Sequence, residues 1–185
     1  SSEVVFVVMD TAKPRTLSDS NYNLRVEELM QVASALETTA FDQLARIEPA
    51  SAEIIAGTLP VPLGNRLTHV ANEQARVGLA TNALRNGRWQ EFGKLMTQSH
   101  QSLKNLYEVS CDELDIMVDA CLEKDGVMGA RMTGGGFGGC AVCLSEADAV
   151  DGWLPQVVSE YELKTGRVPN LFVARPGPAA GYRSL

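Results

Sequence analysis

The sequence predicts an α+β domain, with a mainly antiparallel four-stranded sheet and helices packed on one face. Three observations carry this prediction. A β-branched run, Val4-Val5-Phe6-Val7-Val8, stands near the start, and several helical periodicities follow before any second strand. Two strand-like runs at residues 128–133 and 140–144 flank a glycine cluster. An amphipathic stretch at 147–164 then precedes a last apolar run at 168–174. Helices bunched between the first and second strands are not the alternating βαβ order of a parallel sheet. No internal repeat, low-complexity tract or interdomain linker interrupts the chain.

Each element has a local reason. Residues 3–9 carry the β-branched run Val-Val-Phe-Val-Val, as in a strand buried on both faces. Lys13, Pro14 and Arg15 end it. Ser18, Asp19 and Ser20 offer N-caps, after which Tyr22, Val26, Leu29, Met30, Ala33 and Leu36 recur at helical spacing. Residues 39–47 and 51–56 read as short helices around Pro49. Pro60 and Pro62 suit the first turn of a long helix that Asn86-Gly87 stops after Arg85. Trp89, Phe92, Leu95, Met96, Ser99, Leu103 and Leu106 mark the next helix face. Ser110 and Glu113 have capping-box spacing and open a helix to Leu122. Val150, Trp153, Leu154, Val157, Val158 and Tyr161 line the last helix, and Thr165-Gly166 ends it. The tail after Pro176, rich in Pro, Gly and Ala, is either loose or packs back as a strand extension.

Composition narrows the function classes. The 185 residues are 45% hydrophobic and 21% charged, enough for one domain with a real core. The net charge of −7 leaves no basic stripe to neutralise nucleic-acid phosphates. No apolar run approaches the ~20 residues that span a bilayer, and no signal peptide is visible. Cys140 and Cys143 have metal or redox spacing. In a strand, however, their side chains point to opposite faces, and neither His69 nor His100 has finger-like spacing from them. Buried free thiols in a reduced, cytoplasmic protein are expected for these and for Cys111 and Cys121.

The densest chemical signal is Gly129-Ala-Arg-Met-Thr-Gly-Gly-Gly-Phe-Gly-Gly139. Glycine destabilises a helix interior by about 1 kcal/mol per residue. It also permits φ > 0 and turns bare N–H groups outward, which is the chemistry of an anion cradle. A ligand-free connection between two strands accounts for the same glycines. The spacing fits neither a Walker loop nor a dinucleotide fingerprint.

That string resembles the third, C-terminal glycine-rich motif of the GHMP small-molecule kinases, in detail that of the galactokinase family. Other blocks agree in order: Leu17-Ser-Asp-Ser-Asn-Tyr-Asn-Leu-Arg25, then His69-Val-Ala-Asn-Glu73 with Arg76. Ser99-His-Gln-Ser-Leu103 through Ser110 and Asp115 follows, and the Pro-Ala-Ala-Gly181 ending is last. The resemblance covers almost the whole chain but only the C-terminal half of such an enzyme. It implies a GHMP kinase C-terminal domain over residues 1–185, with the N-terminal kinase domain absent. The family's sugar motif, phosphate loop, catalytic Asp and partner Arg belong to that other half, so no residue here inherits a catalytic role. The chain starts at Ser1 rather than Met and is expected to be a piece that is inactive alone.

The implied function is ATP-dependent phosphorylation of the anomeric hydroxyl of galactose, with Mg²⁺, in the full-length enzyme. Neither ATP nor Mg²⁺ is expected to bind tightly to this chain alone, and no metal ligand set is expected in it. The implied partners are a small sugar, ATP and the missing domain, with no nucleic acid and no membrane. Another GHMP kinase acting on a related sugar, or a non-catalytic binding or regulatory domain of the same fold, are the alternatives.

Tyr22 reads locally as an aromatic staple packing its helix on the sheet. The resemblance instead makes it a sugar-contacting residue. Asn23 reads as a cap or turn residue. Lys13 and Arg15 read either as a solvated turn or, above all Arg15, as a cation near the transferred phosphoryl group. Thr133, Gly134, Gly135, Gly136, Phe137, Gly138 and Gly139 would shape the pocket near sugar and phosphates. The family often has a second arginine after its Tyr-Asn; here the pair is Arg25-Val26, and any role of that second arginine is lost. His69, Glu73 and Arg76 share a helix face and read as a structural polar network. Asp112, Glu113 and Asp115 read as helix N-terminal acids.

Overall fold

A computed structural model of the chain describes residues 3–14, 19–38, 41–175 and 177. Arg15, Leu17, Ser18, the side chains of Asp19 and Ser20, Thr39 and the Pro-Ala-Ala-Gly181 ending lie outside the described residues. The element order is β1 (Val4–Asp10), α1 (Asp19–Ala35), α2 (Phe41–Ala45), α3 (Pro49–Ala56), α4 (Val61–Arg85) and α5 (Trp89–Ser102). After these come α6 (Asp112–Leu122), β2 (Val127–Met132), β3 (Cys140–Glu146), α7 (Val150–Thr165) and β4 (Asn170–Ala174). The four strands pair antiparallel in the order β2-β3-β1-β4. This is the expected α+β sheet.

Strand alternation sorts the core. Val5, Val7 and Met9 of β1, Ala130 and Met132 of β2, and Ala141 and Cys143 of β3 face α6 and α7. There they meet Leu114, Met117 and Val118, and Trp153, Val157 and Tyr161. Each such fully buried large apolar side chain contributes about 1.5–3 kcal/mol. Two polar groups in this layer have partners: Trp153 Nε1 donates to Ser145 Oγ at 3.1 Å, and Tyr161 Oη to the Thr11 carbonyl at 2.7 Å.

The expectation of helices on one face alone does not hold, because α5 covers the opposite face of the sheet. Val4 and Leu144 pack with Met96, and Phe6 meets Phe92 edge to face with ring centroids 6.5 Å apart. Helix α5 reaches that face because Gly93 and Gly129 let its backbone touch β2. A Cβ on Gly129 would overlap the Gly93 carbonyl oxygen, and one on Gly93 would overlap the Met128 carbonyl. A separate helical cluster joins α1 to α4 through Val32, Ala33, Leu44, Ala52, Leu67 and Ala71.

Three local expectations change. The inward face of α1 is rotated: Tyr22 and Met30 are exposed, while Arg25 and Glu28 are buried. The helix face of residues 89–106 does not continue as α-helix. It widens into a π-helical turn at Leu103–Tyr107 and ends at Glu108, in the left-handed region with φ 55°. The capping box at Ser110 and Glu113 does not form. Cys111 is the N-cap with extended backbone and no side-chain bond. Ser110 Oγ donates to Asp115 Oδ1 at 2.5 Å, and Glu113 is taken by Lys13. Among the described residues, no helix is long and apolar enough to cross a membrane. None of the four cysteines forms a disulfide; Cys121 and Cys143 are buried as expected, whereas Cys111 and Cys140 are only partly so, and Cys121 Sγ lies 3.3 Å from Met9 Sδ.

Candidate functional site

The glycine loop connects β2 to β3, and its two halves differ. Thr133, Gly134 and Gly135 are exposed, whereas Gly136 and Gly138 are buried. Gly134, Gly136, Gly138, Gly139 and even Phe137 have positive φ. The second half is tied down. The Phe137 amide donates to the Val109 carbonyl at 2.8 Å, and a Cβ on Gly136 would overlap that same carbonyl. The Gly139 carbonyl accepts from both the amide and the hydroxyl of Thr11, at 2.9 and 2.7 Å. In the exposed first half the Thr133 amide donates to the Cys140 carbonyl at 2.9 Å, which leaves the amides of Gly134 and Gly135 to face an anion.

Lys13 borders this loop, its carbonyl oxygen standing 3.2 Å from where a Gly138 Cβ would be. Its ammonium is not a free surface charge. Nζ donates to Glu113 Oε2 at 2.7 Å, a bond that raises the lysine pKa. Arg167 reaches Glu113 as well, at 3.6 Å. Arg15 follows two residues later, outside the described residues.

Tyr22 stands on the exposed face of α1 at 62% exposure, so the staple reading has no support in the packing. Burial first, and then Tyr22, push the Tyr107 phenol up. Arg25, one turn on, donates from Nη1 to the Tyr107 carbonyl at 3.1 Å. Residues 107–109 therefore hold both predicted parts together, α1 through Tyr107 and the glycine loop through Val109.

Behind this connector lies a charged network that sequence reasoning missed. Arg66 of α4 is only 1% exposed. Its Nε donates to Glu28 Oε2 at 2.6 Å, Nη2 to Glu108 Oε2 at 2.8 Å, and Nη1 to the Leu106 carbonyl. Arg25 also faces Glu28, at 3.2 Å, and Glu108, at 3.5 Å. Burial opposes the Arg66 charge, yet bonds to the two carboxylates outweigh it and raise its pKa. Arg66 precedes His69 and Glu73 by three and seven residues on the same helical face, but that spacing names none of its partners.

His69, Glu73 and Arg76 do form a polar network. His69 Nδ1 is 2.8 Å from Ser102 Oγ, and its ring stacks on Tyr107 with centroids 4.4 Å apart. Burial first, then Arg76, Arg131 and Arg66, lower its pKa to about 4, so it is neutral at pH 7. Glu73 pairs with Arg76 and accepts from Ser99 Oγ at 2.6 Å. Asp112, Glu113 and Asp115 do occupy the first turn of α6. Among the described residues, no three His, Cys, Asp or Glu side chains converge as metal ligands.

Comparison with known proteins agrees with this architecture. Residues 80–154 match the family described as GHMP kinases C terminal. A galactokinase from Fusobacterium nucleatum is 36% identical over 95% of this chain and 46% of its own length. One from Bacillus subtilis is 35% identical over 97% of this chain and 46% of its own length. The crystal structure of Lactococcus lactis galactokinase complexed with galactose superposes with a TM-score of 0.88. The two are 34% identical over 94% of this chain and 45% of that one. The chain thus spans about half the length of the relatives it matches.

Proposed function

We propose, on the premise that this chain carries a GHMP kinase C-terminal domain and is similar to galactokinases along most of its length, that it supplies the C-terminal half of a galactokinase-type sugar kinase. Residues 1–185 are then one such domain, and its partner is an N-terminal kinase domain bearing the catalytic groups. The reaction is transfer of the γ-phosphoryl group of ATP to the anomeric hydroxyl of galactose. The observation that carries this reading is the convergence on residues 107–109. Arg25, one turn from exposed Tyr22 on α1, donates to the Tyr107 carbonyl, and the Phe137 amide of the glycine loop donates to the Val109 carbonyl.

In this reading Tyr22 forms one wall of the sugar pocket. The exposed amides of Gly134 and Gly135 face the phosphates, with Phe137, Gly138 and Gly139 as their anchored root. Fixed N–H groups aimed at developing negative charge stabilise a phosphoryl-transfer transition state without reorganisation. Arg15 contributes a cation to the same region. Among the described residues no group of three carboxylates converges to hold the Mg²⁺ that accompanies ATP. Four cysteines without a disulfide among them suit a reducing, cytoplasmic compartment.

The test is a coupled kinase assay on this chain and on the protein extended to the length of its relatives. The expected result is galactose-dependent ATP turnover by the extended protein and none by the chain alone. Sugar-dependent turnover by the chain alone, or none by the extended folded protein, overturns the reading.

A further inference from the structure

A cavity of about 380 Å³ opens between α4, α5 and the sheet face opposite the main core. Its volume falls within the roughly 300–1,000 Å³ of small-molecule sites. Phe6 and Phe92 form an apolar wall, and Arg76, Arg131, Glu73 and Ser99 line the rest. Tyr22 and residues 134–139 are not part of it.

The charges in this cavity do not balance. Arg76 is paired with Glu73, whose other oxygen takes the Ser99 hydroxyl. Arg131 donates from Nε to the Met132 carbonyl at 3.0 Å. Among the described residues, no carboxylate forms a salt bridge with it. His69, close enough to feel both arginines, is neutral. Arginine does not give up its proton in proteins. Two guanidiniums therefore face one carboxylate, a net charge of +1 in a partly dry, aromatic-walled space. Burial opposes the Arg131 charge, and no opposing group relieves it. A buried charge without a partner is costly.

We propose that this cavity binds a small organic monoanion: a carboxylate on a flat apolar body, its head on Arg131 and Arg76 and its body against Phe6 and Phe92. A carboxylate matches the single excess charge and can take a guanidinium fork in bidentate fashion. A dianionic phosphate monoester would overshoot that charge. Thr133, the first residue of the glycine loop, also lines the cavity, so an occupant touches the root of that loop. The inference stands whether or not the kinase reading holds.

The experiment titrates the isotopically labelled 185-residue chain with sodium benzoate and, separately, with benzamide at constant ionic strength. Amide resonances of Ser99, Arg131 and Thr133 are followed. Benzoate is expected to shift them saturably, and benzamide to bind at least tenfold more weakly. Arg131→Met is expected to weaken benzoate at least tenfold while keeping a dispersed spectrum. Should that variant fail to fold, Ala80→Trp, which fills the cavity from α4 without removing a charge, is expected to block benzoate. Equal binding of benzamide, no saturable shift, or benzoate binding unchanged in the folded variant overturns the proposal.

Discussion

Arg66 of α4 and Glu28 of α1 form a buried ion pair, Nε to Oε2 at 2.6 Å, that locks the first helix onto the longest one. The charges are kept inside because the guanidinium spends its remaining donors on Glu108 and the Leu106 carbonyl. Arg66→Met should leave Glu28 facing only Arg25 and should destabilise the fold by about 3–5 kcal/mol. Arg66→Lys should recover little of this, since one ammonium cannot satisfy three diverging acceptors. Urea midpoints of the two variants and the parent check both expectations.

The glycine loop separates two substitutions that look equivalent in sequence. At Gly136, φ is +82° and a Cβ would overlap the Val109 carbonyl. Gly136→Ala should therefore destabilise the protein by about 1–3 kcal/mol. Nothing lies within 4 Å of a Cβ on Gly135. Gly135→Ala should leave stability within about 0.5 kcal/mol. In the extended enzyme it should cut kcat/KM about tenfold, close to 1.4 kcal/mol. Melting curves and kinetics on the same preparations separate the effects.

Acid should weaken the fold in two steps. His69 titrates near 6.5 when unfolded and at about 4 when folded, held down by burial and then by Arg76, Arg131 and Arg66. Below about pH 6.5 the unfolded chain takes up a proton that the folded one refuses. Roughly 3 kcal/mol is lost by the time the folded pKa is reached. Burial works to raise the Asp115 pKa. His100, Ser110 and Lys104 outweigh it and hold the carboxyl at about 2, against an ordinary 3.8. Its contribution of about 2 kcal/mol is present above pH ~4 and disappears as pH falls through the folded value. His69→Gln should remove the upper step and Asp115→Asn the lower one in urea midpoints taken across this range.

Tyr22→Phe should leave the melting temperature unchanged, because the ring is exposed. In the extended enzyme it should cost about 0.5–1.5 kcal/mol in kcat/KM for galactose, roughly two- to tenfold. Its effect on KM for ATP should be smaller. Unchanged galactose kinetics would remove the tyrosine from the sugar site.

Much of the architecture was legible because it is local. Pro60 and Pro62 opened α4 and Asn86-Gly87 closed it where expected, and the glycine run was bound to be a loop. Arg66 was not legible: a lone arginine on a helix normally reads as solvent-facing, and only the tertiary meeting of α1, α4 and residues 106–108 reveals its partners. The rotation of α1 follows from the same cause. Apolar periodicity pointed Tyr22 inward, while burial of Arg25 and Glu28 turned it out. The approach of α5 to β2 also escaped the sequence, because Gly93 and Gly129 lie far apart in the chain and each alone looks like an ordinary weak spot in its element.

The two hydrogen bonds that Thr11 donates to the Gly139 carbonyl, with the Tyr161 hydroxyl donating to the Thr11 carbonyl, constrain how the loop can change in length. An inserted residue between Gly134 and Gly135 extends an exposed tip and leaves every anchor in register. The same insertion between Gly136 and Gly139 would pull Val109, Thr11 and α7 out of step together. Length variation in this loop is therefore confined to its first half, and the second half behaves as a ruler of fixed size.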